Sequence, residues 1–268
     1  DIAKALCAEM QRECELVEQE WDGMIPALKA RKFDAIVASM SITEERKRQI
    51  DFSEKYYQTP ARLVAPKDAG FEGTPDGLAG KRIGVQRGAT HQCYAEKMFP
   101  EAEIVLYGSQ DEVFRDLALG RVDAQLSDSL IAQESFLSSD EGADFAFLGG
   151  DHTDVDCYGE GVGIAVRKGE DKLREDFSEA ITALRENGSY AEINDKYFPF
   201  QHVFENSPQP RIQRQGRDVR VRNGRAYQIS VDQFVESAAA RKPTPGENRG
   251  KRERNSDHRD ISRQMSGR

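Results

Sequence analysis

Short apolar runs alternate with helical patterns along residues 1–200, and this alternation constrains the fold more than any other feature of the 268-residue chain. Each strand-like run is followed by a stretch whose apolar residues recur every three or four positions. Such alternation is typical of an α/β fold, in which helices cover the faces of a sheet. The sequence therefore predicts an α/β protein, and its length suits two domains of ordinary size.

Two segments of this region resemble each other. Residues 28–36 and 117–125 each contain the end of a helical pattern, a basic residue and an Asp-Ala strand. Ser39 and Asp128 follow these two Asp-Ala pairs at the same spacing. Ligand groups gather beyond the carboxyl ends of strands in open α/β sheets. The similarity predicts two lobes that face one cleft, although a chance match between common helix-to-strand patterns remains an alternative.

Two parts of the chain have net charges of opposite sign. Residues 1–200 have a net charge of −16 and residues 201–268 one of +7, which gives the −9 of the whole chain. The acidic part argues against a nucleic-acid partner. Residues 201–268 have little apolar periodicity, and only 227–240 suggest a short amphipathic helix, so we predict a disordered basic tail. The sequence contains no apolar run long enough to predict a membrane span.

The four cysteines are Cys7, Cys14, Cys93 and Cys157. They form no Cys-x-x-Cys pair and the four histidines are scattered, so we predict no metal site. Cys7 lies in a helical pattern and Cys14 lies where that helix should end, which can bring the two within disulfide distance. A disulfide would indicate an oxidising compartment, whereas two buried thiols in a reduced core are the alternative.

Candidate anion-binding groups follow two of the predicted strands. Ser41 and Glu44 have capping-box spacing, which predicts a helical turn with free N–H groups, and Arg46 follows one turn later. Gly88 permits a close backbone approach, and Thr90 can cap the next helix. These groups suit a carboxylate, which prefers a guanidinium and backbone donors. The alternatives are a surface arginine and a structural glycine turn.

Complementary candidates lie at other strand ends. Asp128 is a potential partner for an ammonium group, and Trp21 offers an aromatic face to a side chain. A helix N-cap and a core tryptophan are the respective alternatives. Because all of these candidates lie at strand ends, on the side where a cleft would form, they predict together a site for a small zwitterion.

At these residues the chain resembles the polar amino-acid-binding proteins of bacterial ABC importers, specifically the lysine/arginine/ornithine- and histidine-binding branch of solute-binding protein family 3. The resemblance extends over about residues 1–199 and is carried by segments 21–28, 33–46, 51–53, 80–90 and 197–198.

The resemblance implies a role for each candidate. It implies that Arg46 clamps the ligand carboxylate with the backbone N–H groups of Ser41 and Thr90, and that Ser39 and Asp128 hold the ammonium. The complete expected ligand-binding set is Trp21, Ser39, Met40, Ser41, Arg46, Gly88, Thr90 and Asp128. The resemblance also implies a disulfide between Cys7 and Cys14, and leaves open whether Cys93 and Cys157 pair.

The implied protein is a monomeric periplasmic binding protein of a Gram-negative bacterium. It would bind a free cationic L-amino acid without a cofactor and deliver it to the membrane permease of an ABC transporter. Expected boundaries are 1–64 plus 165–200 for lobe one and 67–162 for lobe two. The family carries a strand and loop before the position of Asp1, so lobe one is expected to lack its first strand and the signal peptide to be removed or missing.

Two other functions share this expected fold. One is an enzyme resembling cyclohexadienyl or arogenate dehydratase, which needs a general acid in the cleft. His91 and Glu160 are the nearest candidates for that acid in the sequence. The other is a sensory ligand-binding domain that signals through a partner protein.

Overall fold

A computed structural model describes residues 1–197 and 227–231, and its α-helices cover two β-sheets. The α-helices in these residues are α1 (Ile2–Glu9), α2 (Met24–Lys29), α3 (Glu44–Lys47), α4 (Thr90–Met98), α5 (Gln110–Ala118), α6 (Ser129–Ala132), α7 (Val155–Tyr158), α8 (Asp171–Glu186) and α9 (Ser189–Tyr197), and a 3₁₀ helix at Trp21–Gly23 and a π-helix at Gln133–Leu137 adjoin α2 and α6. The strands are β1 (Cys14–Glu18), β2 (Ala35–Ile36), β3 (Ile50–Phe52), β4 (Ala61–Pro66), β5 (Arg82–Gln86), β6 (Glu103–Tyr107), β7 (Ala124–Asp128), β8 (Phe145–His152), β9 (Ala165–Arg167) and β10 (Tyr227–Val231). The predicted α/β class is confirmed.

The first sheet has the strand order β1-β10-β2-β9-β3. Strands β1, β10 and β2 run parallel, and β9 runs antiparallel to β2 and β3. Helix α8 covers one face with Phe177 and Ile181, which are both fully buried. Met24 and Leu28 of α2 belong to a second buried cluster, which includes Ile36 of the same sheet.

The second sheet has the strand order β6-β5-β7-β4-β8. Strands β6, β5 and β7 run parallel, whereas β4 runs antiparallel to both of its neighbours. Helix α5 supplies Val113, Phe114 and Leu117 to the core, as the spacing of these residues predicts. The capping box predicted from Ser109 and Glu112 is present at the start of this helix.

The first crossing between the sheets lies earlier than the predicted lobe boundary. Residues 61–64, which we assigned to lobe one, belong to β4 of the second sheet and pair there with β7 and β8. The crossing therefore precedes Ala61. The sequence pattern marks a strand at 61–66 but does not indicate which sheet the strand joins. The other lobe boundaries stay a prediction.

Strand β10 differs from the prediction of a disordered tail. Residues 227–231 form a strand between β1 and β2, in the range that suggested a short helix. Ile229 is fully buried in the core between α1, α8 and the sheet. The pairing satisfies backbone groups along both neighbouring strands, which local composition cannot reveal. The remainder of 201–268 lies outside the described residues, as do residues 198–200 of lobe one.

Two disulfide bonds join helices to neighbouring elements. The Cys7–Cys14 bond connects α1 to the start of β1, and the implied pairing is therefore confirmed. The Cys93–Cys157 bond, which the sequence left undecided, connects α4 to α7. Among the helices of residues 1–197, none combines the length and apolar character required to cross a membrane.

A substitution at Ile229 tests whether β10 belongs to the core. We expect Ile229→Ala to lower the free energy of unfolding by about 2–5 kcal/mol, because it removes a buried side chain and leaves a cavity. Thermal denaturation of the full chain measures the effect, with Leu119→Ala as a control, because the Leu119 residue is 60% exposed. Equal melting temperatures for the two variants would contradict the core position of Ile229.

Candidate ligand site

A cavity lies between the two sheets and is lined by residues from both. From the first sheet's side it is lined by Trp21, Ala38, Ser39 and Ser41, and from the crossings by Gln58, Thr59, Gly161 and Val162. The second sheet's side contributes Ala61, Gln86, Ala89, Thr90, His91, Gln110, Ser127, Asp128, Ile131 and Tyr158. Five of the eight predicted ligand-binding residues line this one cavity: Trp21, Ser39, Ser41, Thr90 and Asp128.

Ser39 has an unusual backbone conformation just beyond β2. Its φ of 57° lies in the left-handed region, which non-glycine residues seldom adopt. The buried residues Tyr56 and Tyr57 both form hydrogen bonds with Ser39, which help to hold this conformation. Burial raises the pKa of both tyrosines, so they are neutral hydrogen-bonding partners. Strained backbone of this kind is concentrated at functional sites.

Arg46 is a buried cation that does not itself line the cavity but contacts two residues that do, Ser41 and Trp21. Its Nη1 donates to the carbonyl oxygen of Ser41 at 3.0 Å, and its Nη2 donates to that of Gly88 at 3.2 Å. Only 8% of the residue is exposed, and among the described residues no carboxylate lies within ion-pair distance of it. Burial lowers the pKa of Arg46 to about 10, with a smaller opposing effect of Glu45, so the group stays charged at neutral pH.

The helical turn that carries Arg46 begins two residues later than predicted. Thr43, rather than Ser41, is the N-cap of α3, and its Oγ1 accepts from the backbone N–H of Arg46 at 3.2 Å. Ser41 instead forms an isolated bridge with Val162 of the second crossing. The bridge keeps Ser41 in extended backbone, and its side chain is therefore not the helix cap.

The turn before α4, on the second sheet's side, contacts Arg46 through a hydrogen bond. Gly88 has a φ of 70°, which favours glycine, and its carbonyl accepts from Arg46. Thr90 is the first residue of α4 rather than its N-cap, which is Ala89. Gly88 itself is not among the residues that line the cavity, and its contribution is the carbonyl oxygen that holds the guanidinium.

Asp128 serves two structural purposes at the end of β7. Its Oδ1 accepts from the backbone N–H groups of Leu130 at 2.9 Å and Ile131 at 3.4 Å and so caps α6. Its Oδ2 accepts from the hydroxyl of Thr59 in the first crossing. Burial raises the pKa of Asp128, and these hydrogen bonds oppose the rise. No cation of the described chain pairs with this carboxylate.

Trp21 and Met40 show the difference between a cavity residue and a core residue. Trp21 lines the cavity, and the guanidinium carbon of Arg46 lies 5.5 Å from its ring centroid, a cation–π distance. Met40 is only 1% exposed and packs in the core cluster with Met24 and Leu28. The structure therefore does not bring the Met40 side chain to the cavity.

Thirteen of the eighteen lining residues were not in the predicted set, and three of them offer polar or aromatic groups to the site. Thr59 donates to Asp128, while His91 and Tyr158 form a wall with their ring centroids 5.6 Å apart. The Tyr158 hydroxyl is buried and has no hydrogen-bond partner in the described part of the chain. The sequence suggests His91 only as a catalytic acid, and no spacing pattern in it indicates any of the three as a ligand-binding residue.

The two acid candidates for an enzyme behave differently. Burial, and then the charge of Arg46, lowers the pKa of His91 to about 4, so the imidazole is neutral at neutral pH. Glu160 does not line the cavity; its side chain is 65% exposed and pairs with Lys47 at 3.3 Å. The neutral His91 is therefore a poor proton donor at neutral pH, and Glu160 lies away from the cavity.

On a second concave surface, near α3, charged side chains form ion pairs with one another. Lys47 pairs with Glu44 and Glu160, and Lys168 pairs with Asp51. The cavity between the sheets differs because the carboxylate of Asp128, which lines it, and the buried guanidinium of Arg46 beside it have no oppositely charged partner among the described side chains. We therefore assign the candidate ligand site to that cavity.

The protein has two β-sheets covered by helices, a polar cavity between the sheets, and two crossings of the described chain from one sheet to the other. This is the architecture of a two-lobed binding protein. Comparison with known sequences agrees: the model of the bacterial extracellular solute-binding proteins, family 3, matches residues 1–200. The chain belongs to this family.

Characterised relatives cover most of the chain. It is 52% identical over 202 residues to the L-arginine-binding protein of Pseudomonas aeruginosa, a match that spans 75% of this chain and 78% of that protein. It is 41% identical to the lysine/arginine/ornithine-binding periplasmic protein of Escherichia coli K12, with the same coverage.

Solved structures show the same fold. A periplasmic binding protein of Salmonella typhimurium with high arginine specificity superposes with a TM-score of 0.69 at 36% identity, covering 74% of this chain and 87% of that one. An ancestral amino-acid-binding protein described as a precursor of cyclohexadienyl dehydratase reaches 0.64 at 29% identity, covering 74% and 83%. The enzyme alternative therefore shares this fold with binding proteins.

His91 predicts a pH dependence of stability. Its pKa is 6.5 ordinarily and about 4 in the folded protein, so between these values the unfolded chain binds a proton that the folded protein does not. The free energy of unfolding should fall as the pH drops from about 6.5 to 4. The contribution of His91 to this fall is roughly 3 kcal/mol, at about 1.4 kcal/mol per pKa unit. Denaturant unfolding across this range should show a shallower pH slope for His91→Gln. Parallel profiles for the two proteins would contradict the shift.

Proposed function

We propose that the protein binds a free L-amino acid of the arginine, lysine, ornithine and histidine class between its two lobes and delivers it to an ABC transporter. The observation that carries the proposal is that the buried cation Arg46 contacts the wall of a cavity that the carboxylate of Asp128 lines, and neither group has a partner of opposite charge among the described residues. A zwitterion supplies both missing partners.

The ligand carboxylate is proposed to bind Arg46. The guanidinium has five N–H donors, and two of them are directed to the carbonyls of Ser41 and Gly88. A carboxylate can accept remaining donors at an angle that matches the planar fork. Backbone N–H groups of Ser41 and Thr90 are the proposed additional donors, since both residues line the cavity.

The ligand ammonium is proposed to bind Asp128 and Ser39. Asp128 retains acceptor capacity because a carboxylate can accept about four hydrogen bonds and three are present. Ser39 lines the opposite side of the cavity. An ammonium group there would offset the cost of burying the carboxylate.

The class of ligand side chain rests on the relatives rather than on charge in the cavity. Asp128 is the one acidic residue among the described residues that line it, so the lining holds no second carboxylate for a side-chain cation. Trp21 provides an aromatic face, and the Tyr158 hydroxyl is a polar group without a partner there. Relatives that bind arginine, lysine, ornithine and histidine support the cationic class.

A binding protein is favoured over an enzyme by the state of His91. A neutral imidazole with a pKa of about 4 is a poor proton donor at neutral pH, and Glu160 lies away from the cavity. The proposed function therefore includes no catalytic step.

The periplasm is the proposed location, which two disulfide bonds and the periplasmic relatives support. The permease partner and the monomeric state are proposed with it.

Calorimetric titration tests the proposed function directly. We expect saturable binding of L-arginine, L-lysine, L-ornithine or L-histidine, and no binding of L-glutamate. Agmatine, which is arginine without its carboxylate, should fail to bind because it leaves Arg46 without an anion. Failure of all four amino acids to bind to folded protein would refute the proposal, and tight binding of agmatine would remove the carboxylate clamp.

A matched pair of substitutions tests Arg46. Arg46→Ala should weaken binding of the best amino acid at least a hundredfold, since two charge-assisted hydrogen bonds contribute about 1.5–3 kcal/mol each. Arg48→Ala removes an exposed arginine at the end of the same helix and should leave affinity unchanged. Melting temperatures of both variants show whether each is folded. Comparable affinities would indicate that Arg46 has only a structural role.

A further inference from the structure

The Cys93–Cys157 disulfide joins two helices that support one wall of the cavity. Cys93 lies in α4 on the exposed side, and Cys157 lies in α7 with 3% exposure. The bond closes a loop across 64 positions of the sequence. Helix α7 has only four residues and is not continuous with any strand, so it depends on neighbouring elements for its position.

Each cysteine is close in sequence to a residue of the cavity wall. His91 precedes Cys93 by two positions, and Tyr158 directly follows Cys157. The His91 and Tyr158 rings are in contact, and Tyr158 also stacks on Tyr94 with centroids 5.0 Å apart. A displacement of α7 relative to α4 would therefore separate the two rings that form the wall.

In addition to the ring contacts of Tyr158, ion pairs of the solvent-exposed Lys97 connect these helices. Lys97 of α4 binds Asp154 at 2.7 Å and Asp156 at 3.2 Å. The Lys97 side chain is 44% exposed and that of Asp156 is 87% exposed, so water and salt weaken these pairs. The disulfide is the covalent link between α4 and α7, and salt does not weaken it.

The same helix leads directly into the second crossing. Gly159 has a φ of 70°, and a Cβ there would lie 2.0 Å from the carbonyl oxygen of Ile42. Beyond it, Gly161 accepts from the Ile42 N–H at 2.7 Å and lines the cavity together with Val162. The cavity wall from Tyr158 to Val162 is thus continuous with α7.

We propose that the Cys93–Cys157 disulfide is a positioning element of the ligand site, which holds His91 and Tyr158 at the spacing that the bound amino acid requires. This inference rests on the proposed function. The Cys7–Cys14 disulfide provides an internal contrast, because it joins α1 to β1 and no residue of these two elements lines the cavity.

Two double variants of the full chain separate positioning from stability. In Cys93→Ser/Cys157→Ser we expect L-arginine to bind about tenfold more weakly, mainly through faster dissociation, because a loosened site loses contact geometry. In Cys7→Ser/Cys14→Ser we expect affinity to stay within about twofold while the melting temperature falls. Calorimetry and stopped-flow fluorescence of Trp21 measure affinity and dissociation rate.

Reversible reduction provides a readout that a purely structural bond would not give. In Cys7→Ser/Cys14→Ser, dithiothreitol can reach the exposed Cys93 and convert the remaining disulfide to two thiols, itself becoming the cyclic disulfide. L-arginine affinity should fall on reduction and recover on reoxidation, while far-ultraviolet circular dichroism stays unchanged. This measurement applies even where Cys93→Ser/Cys157→Ser does not fold.

The outcomes distinguish the inference from the function on which it rests. If wild-type protein binds L-arginine and neither reduction nor substitution of Cys93 and Cys157 changes the affinity, the positioning role is wrong and the proposed function stands. A loss of affinity that follows global unfolding overturns the positioning role as well. If the wild-type protein binds none of the four amino acids, the proposed function itself fails.

Discussion

The buried guanidinium of Arg46 is the constraint on which the rest of the site depends. A cation removed from water is costly unless it is hydrogen-bonded and paired with charge. Here the carbonyls of Ser41 and Gly88 and the ring of Trp21 meet part of that cost. Because Ser41 belongs to the first sheet's side and Gly88 to the second, this arrangement forms only when the two sides are close together.

This dependence connects binding with the relative position of the lobes. A ligand carboxylate would complete the pairing of Arg46, while Asp128 would take the ammonium from the other side. A ligand that contacts both sides binds the closed arrangement more tightly than an open one, and so favours closure. Ser39 contributes to the same arrangement, since its left-handed backbone is held by two buried tyrosines before any ligand arrives.

The sequence predicts those features that depend on local chemistry. Alternating apolar patterns predict the α/β class, Ser109 and Glu112 predict the start of α5, and the equivalent positions of Ser39 and Asp128 predict two strand ends at one cavity. Family resemblance adds the Cys7–Cys14 bond. In each of these cases the determining contacts are close in sequence or lie at the end of a strand.

Features determined by distant contacts could not be predicted in this way. The strand at 227–231 takes its place between β1 and β2 through backbone pairing with residues some two hundred positions away. The first crossing precedes Ala61 because β4 pairs with β7, and Thr43 caps α3 because Ser41 is engaged by Val162. His91 and Tyr158 become neighbours only when α4 and α7 pack together.

The hydrogen bonds that both carboxylate oxygens of Asp128 accept have an evolutionary consequence. One of its oxygens caps α6 and the other accepts from Thr59, so a substitution at this position changes the fold of the second lobe together with the charge of the cavity. In the described part of the chain, the side chains of His91 and Tyr158 do not cap a helix. Divergence towards new ligands should therefore begin at the aromatic wall, while Asp128, the proposed partner of the ligand's amino group, is retained by purifying selection.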